Sequence, residues 1–207
     1  YTALAGGWQY FAFSTMKDDD QVELTSKIFE YLGAITFIAG IFMMALCDLL
    51  FDILFTGDYR HGSIVAPYLF LAPLLLMLYQ VGCNQFLIIK KTWPNLFILS
   101  FGAILNIVLN YFLIPIIGIE GAAVATLLGY TVSIAICVGV LQKMKLLKIS
   151  KKFVKASMFM CVYFVIWRIL KDRLMLLTIA LAFIACACIV ALYYNDLKSL
   201  VLKLRRR

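Results

Sequence analysis

Charged residues are scarce in this sequence of 207 residues. Asp, Glu, Lys and Arg make up only 14% of it, whereas a typical soluble domain has about 25%. Apolar residues reach 64%, and the mean hydropathy is +0.97. A globule of this size cannot bury that much apolar surface, so the soluble, disordered and collagen-like classes are excluded. Segments of alternating polarity, typical of membrane barrels, are also lacking. The composition therefore predicts an all-α integral membrane protein.

Residue patterns for metal binding and catalysis are lacking as well. His61 is the only histidine, and the six cysteines lie in apolar stretches and form no CxxC pair. Neither a disulfide framework nor a metal site is expected. The acidic run 18–20 has no second acidic cluster to complete a metal motif, and we interpret it as a solvated loop. We expect no cofactor and no enzymatic activity.

Six apolar runs are long enough, or nearly so, to cross the ~30 Å hydrocarbon core of a bilayer as helices. A shorter apolar segment, residues 1–13, precedes them, and we interpret it as the end of a transmembrane helix whose beginning is missing. Pro73 lies inside the second run and is expected to kink it. Residues 14–142 are expected to form one unit with four spans, at about 31–55, 64–89, 95–116 and 120–141. Residues 153–194 are expected to form two C-terminal transmembrane helices, at about 153–167 and 174–194.

The basic residues indicate an orientation. The net charge is +8, but the lysines and arginines lie between apolar runs, so nucleic acid is not an expected partner. Cytoplasmic loops of membrane proteins are rich in Lys and Arg. A cytoplasmic C-terminus places fifteen of the 19 basic residues in inner loops. The four outer ones are Arg60, Arg168, Lys171 and Arg173.

Two inner segments are especially basic. One is a connector at residues 143–152, and the other is a tail at residues 195–207 that ends in three arginines. Residues 143–155 have two interpretations. They form either an amphipathic helix whose lysines face anionic membrane lipids or a loop that only sets the topology.

Polar residues within the apolar runs are the candidate functional residues, because a polar group in hydrocarbon needs a partner or a water-filled cavity. Asn106 and Asn110 share one helical face, as do Gln80 and Asn84. Each pair either bonds one helix to another or lines a cavity for a hydroxyl-rich solute. Asp48 is either a titratable cavity charge or a paired residue near the outer surface.

A ridge of small residues marks the fourth run. Small side chains at every fourth position lie on one face of a helix and let a second helix approach closely. The pattern predicts a tight helix–helix contact along Gly121, Ala125, Gly129, Ser133 and Cys137.

Two stretches of the sequence resemble one known family. Residues 106–115 read NIVLNYFLIP, and after Gly118 the chain continues IEGAAVAT up to Thr126. Residues 54–59 read LFTGDY. These stretches resemble the bacterial polysaccharide flippases of the O-antigen and capsule type. That family belongs to the superfamily of multidrug, oligosaccharidyl-lipid and polysaccharide exporters.

The resemblance implies a fold and a function. Family members have two six-helix lobes around a cavity, and this chain would be the second lobe, from the end of its second helix onward, with two extra C-terminal helices. The implied activity is flipping of an undecaprenyl-pyrophosphate-linked oligosaccharide across the bacterial inner membrane by alternating access, for surface polysaccharide synthesis. A polysaccharide polymerase and glycosyltransferases are implied partners. The family's cavities tend to use basic residues for the pyrophosphate, and no Lys or Arg lies mid-span here.

The sequence leaves two alternatives to a polysaccharide flippase. A cation-coupled drug exporter of the same fold would use a titratable carboxylate such as Asp48. A polyprenyl-linked glycosyltransferase or polymerase would need a charged cluster in a large outer loop or a metal motif.

Overall fold

The computed structural model describes residues 2–171 and 174–204, and these residues form an all-helical bundle without strands. Within these described ranges, six helices are long and apolar enough to cross a membrane, so the chain is a multi-pass membrane protein. A 3₁₀ segment, Gly57–Ile64, joins the second and third α-helices. The α-helices are α1 Thr2–Ser14, α2 Gln21–Leu54, α3 Ala66–Ile88, α4 Trp93–Ile117, α5 Ile119–Lys143, α6 Lys151–Leu170 and α7 Met175–Leu204.

The helices pack as a bundle whose centre is the pair α2 and α3, and α2 contacts α3, α6 and α7. α5 packs against α3 and α4, and α1 packs against α3. We call one end of the bundle the Glu30 end; there the start of α2 meets the connector before α6. The opposite end is the Glu120 end, where the start of α5 meets the end of α6. α4 is the most exposed of the six long helices, because only 11% of its most apolar window is buried.

α2 begins ten residues before the expected start of the first span. It has 34 residues and is about 51 Å long, well beyond the thickness of a hydrocarbon core. Polar residues in its first turns hid this extension from a hydropathy argument. The structure gives them partners: Thr25 accepts a hydrogen bond from Gln85 of α3, and Ser26 accepts one from the backbone N–H of Lys148.

The basic connector is not an amphipathic helix. Residues 144–150 lack helical structure, and α6 starts at Lys151. Leu147 is buried at 2% exposure in a cluster with Phe29 and Leu141. Glu30 of α2 accepts hydrogen bonds from the N–H of Ser150 at 2.5 Å and from its hydroxyl at 2.7 Å. The connector is therefore held on the bundle by one apolar anchor and one carboxylate.

Other boundaries differ from the expected ones in smaller ways. α3 continues through Pro73, and α4 continues through Pro115 to end at Gly118, which has a φ of +62°. α7 extends beyond the apolar run to Leu204, so much of the expected basic tail is helical. Arg173 and the three C-terminal arginines lie outside the described residues.

Candidate functional site

The contact between α4 and α5 is built from glycines. A Cβ atom added to Gly121 would lie 2.6 Å from the carbonyl of Leu113, and one added to Gly129 would lie 3.1 Å from the carbonyl of Gly102. A Cβ atom on Gly102 would collide with the hydroxyl of Ser133. The small-residue ridge of α5 therefore faces α4 at these positions, and the two backbones nearly touch. We call this contact the α4–α5 seam.

A groove of about 420 Å³ lies along the seam. Most of its lining is apolar, but it carries four polar side chains, and we call it the polar groove. Its polar groups are one amide and three hydroxyls, and none of its lining residues is charged. Such groups both donate and accept hydrogen bonds. In a bilayer they need water, a polar solute or protein partners. The lining residues are Leu99, Gly102, Ala103, Asn106, Ile107, Thr126, Gly129, Tyr130 and Ser133.

Asn106 both joins the two helices and lines the groove. Its side-chain N–H donates to the hydroxyl of Thr126 on α5 at 3.2 Å. Asn110 donates to the backbone and side-chain oxygens of Asn106, at 2.9 and 3.0 Å. Thr126 in turn donates to the carbonyl of Ala122. These hydrogen bonds agree with the interhelical interpretation of Asn106, which also lies at the wall of the groove, whereas Asn110 is not among the groove's lining residues.

Gln80 and Asn84 do not line this groove. They lie on α3, and Asn84 is buried at 8% exposure. The neighbouring Gln85 is buried more deeply, at 1%, and its amide N–H donates to Thr25 at 2.8 Å. The two amide pairs predicted from helical spacing therefore belong to different parts of the bundle.

Asp48 forms an ion pair at the Glu120 end. The ammonium of Lys171, the residue after α6, lies 3.5 Å from its carboxylate and 5.4 Å from the ring centre of Trp167. Lys171 also lies 3.5 Å from the carbonyl of Ser63, and only 9% of its side chain is exposed. This geometry agrees with the paired interpretation of Asp48.

Glu120 is a polar residue that sequence reasoning missed. Its carboxylate accepts a bidentate pair from Arg168 on α6, at 2.7 and 3.0 Å, and a hydrogen bond from the Tyr68 hydroxyl at 2.7 Å. Arg168 and Lys171 are two of the four basic residues that the charge pattern of the sequence assigns to outer loops, where basic residues are less expected. That exception was the available signal, because basic residues that oppose the charge pattern are expected to have acidic partners at the same end of the bundle. Asp48 and Glu120 are those partners.

The comparisons with known proteins identify no relative. No protein-family model, no curated protein and no solved structure matches this chain. Among the described residues, no group of three or more His, Cys, Asp or Glu side chains could hold a metal ion. The geometry of the groove and the residues that form it therefore carry the functional assignment.

Proposed function

We propose that this chain flips a lipid-linked oligosaccharide across a bacterial inner membrane. The observation that carries the proposal is the polar groove in the α4–α5 seam. The groove is uncharged, and its amide and hydroxyl groups are the hydrogen-bonding types that recognise sugar hydroxyls. A sugar head would travel along this wall while its polyprenyl tail stays in lipid.

The residues that carry the family resemblance support the same assignment. Asn106 and Thr126 belong to the resembling stretch, and both line the groove. Asn110 belongs to it as well and holds Asn106 in place. In this proposal α1–α5 belong to the second lobe of an alternating-access flippase, and α6 and α7 are the two extra helices. A polysaccharide polymerase and glycosyltransferases are its proposed partners.

The drug-exporter alternative has weaker support. It needs a carboxylate that is free to exchange a cation, and Asp48 already has the Lys171 ammonium beside it. A membrane glycosyltransferase or polymerase has no candidate catalytic constellation among the groove residues, which are uncharged.

We expect loss of flipping when the groove loses its polar groups without losing shape. The double variant Asn106→Leu, Thr126→Val removes an amide and a hydroxyl, and both replacements keep the number and branching of the side-chain heavy atoms. Surface glycan should fall strongly at unchanged protein abundance, and lipid-linked oligosaccharide should accumulate inside the cell.

Thr131→Val is the matched control. Thr131 lies on the same helix and is exposed, and its hydroxyl bonds only back to the carbonyl of Leu127 in its own helix. Glycan should be unchanged in this variant. Normal glycan in the double variant would contradict the assignment of the groove. A gene deletion that lowers drug resistance and leaves glycan unchanged would support the exporter alternative instead.

The proposed orientation places the Glu30 end in the cytoplasm. The basic asymmetry supports it, since the connector lysines lie at this end while Arg168 and Lys171 at the other end are paired with acids. A cysteine introduced at Lys148 should resist a membrane-impermeant thiol reagent in sealed cells, whereas one at Arg60 should react. Efficient labelling at Lys148 would reverse the topology.

A further inference from the structure

A second groove lies along α4, and it is apolar. Its volume is about 510 Å³, and it shares no lining residue with the polar groove. We call it the apolar groove, and its main walls are aromatic and aliphatic side chains. They are Trp93, Phe97, Phe101 and Ile104 on α4 and Ile136 and Val140 on α5.

The walls of the apolar groove face outward. Trp93 is 63% exposed, Phe97 is 66% exposed and Ile104 is 61% exposed. α4 is long and apolar enough to cross a membrane, and exposed apolar side chains on such a helix are suited to contact with hydrocarbon. A concave apolar surface of this kind fits a hydrocarbon chain lying along the helix.

Two lysines lie at the Glu30 end of this groove. Lys90 and Lys91 lie three and two residues before Trp93, the first residue of α4, and both are exposed. Three residues of chain reach at most about 11 Å, so the Cα atoms of both lysines lie within that distance of Trp93, and a lysine side chain is long enough to reach the end of the groove. Neither lysine has an acidic partner among the residues that the structure describes.

We propose that the apolar groove and these two lysines bind one anionic phospholipid of the surrounding membrane. An acyl chain lies against Phe97, Phe101 and Ile104, and the phosphate lies between Lys90 and Lys91. Trp93 occupies the boundary between them, where an amphipathic ring is favoured. This lipid is distinct from the proposed oligosaccharide substrate, and its site stands whether or not the chain is a flippase.

The test is native mass spectrometry of the purified chain, released from detergent after incubation with phosphatidylglycerol or phosphatidylcholine. The wild-type chain should retain the anionic lipid about tenfold better than the zwitterionic one, because each lysine near a lipid phosphate adds attraction. Lys90→Gln with Lys91→Gln should remove that preference. Ile104→Trp, which fills the groove, should weaken retention of both lipids.

The matched control is Lys151→Gln with Lys155→Gln. These two lysines are also exposed and lie at the same end, but they do not adjoin the apolar groove. The control should retain the preference. An equal loss in the control would show diffuse charge attraction in place of a site, and equal retention of both lipids by the wild type would overturn the proposal. Displacement of the lipid by inorganic phosphate alone would also contradict it, because the groove would then contribute nothing.

Discussion

Replacement of Gly129 by Leu should separate α4 from α5. A Cβ atom at this position would lie 3.1 Å from the carbonyl of Gly102 and 3.3 Å from the Cβ of Asn106, so a leucine fits only if the two helices move apart. Overpacking of this kind costs about 1–3 kcal/mol or more. The loss should be at the upper end here, because one neighbour is backbone and cannot rotate away. Thermal unfolding in detergent should show a lower midpoint, and flipping should fall.

Gly139→Leu is the control for this variant. Gly139 lies on the same helix, is exposed, and has no other atom within 4 Å of an added Cβ. Both variants carry the same helix-propensity change, so the difference between them isolates the contact with α4. Equal unfolding midpoints for the two variants would mean that the α4–α5 seam is not a close-packed contact.

Glu120→Gln should weaken the attachment of α6 to the bundle. The substitution keeps the size of the side chain and removes the charge that holds Arg168 at 2.7 Å. The Glu120 side chain is only 12% exposed, so water replaces the lost interaction poorly. Hydrogen bonds to charged groups contribute about 1.5–3 kcal/mol each. Because Arg168 is 45% exposed, we expect a total loss of about 2 kcal/mol in the free energy of unfolding.

Asp52→Asn provides the comparison at the same end of the bundle. Asp52 faces Arg60 at 3.9 Å, and both side chains are more than half exposed. Exposed pairs of this kind contribute about 0–1 kcal/mol, so the unfolding midpoint should barely change. A loss as large as that of Glu120→Gln would indicate that net charge at this end, rather than the Arg168 contact, determines stability.

Hydropathy located the apolar part of every long helix but misjudged the ends. The first turns of α2 carry Thr25, Ser26 and Glu30, and the last turns of α7 carry Asp196. Transfer into hydrocarbon penalises such residues, so a composition argument stops before them. The structure extends both helices because these groups have partners, among them Ser150 for Glu30 and Lys152 for Asp196.

For a similar reason, the sequence indicated some of the polar residues that meet in the structure and not others. Helical spacing placed Asn106 and Asn110 on one face, and that face adjoins the groove. The same rule placed Gln80 beside Asn84, but spacing within one helix does not say which neighbour the face meets. Glu120 was not selected because it stands at a helix start, where an acidic residue is ordinary.

The sequence by itself determined that this is an all-α membrane protein, which segments enter the bilayer, and which face of α5 carries small residues. These properties depend on local composition and on a 3.6-residue period, so they can be read along the chain. Only the tertiary structure decided which polar groups meet. Glu30 bonds a residue 120 positions away, Glu120 bonds one 48 positions away, and Gln85 bonds one 60 positions away. Contacts at such separations depend on how the helices pack, and packing is a property of the whole bundle.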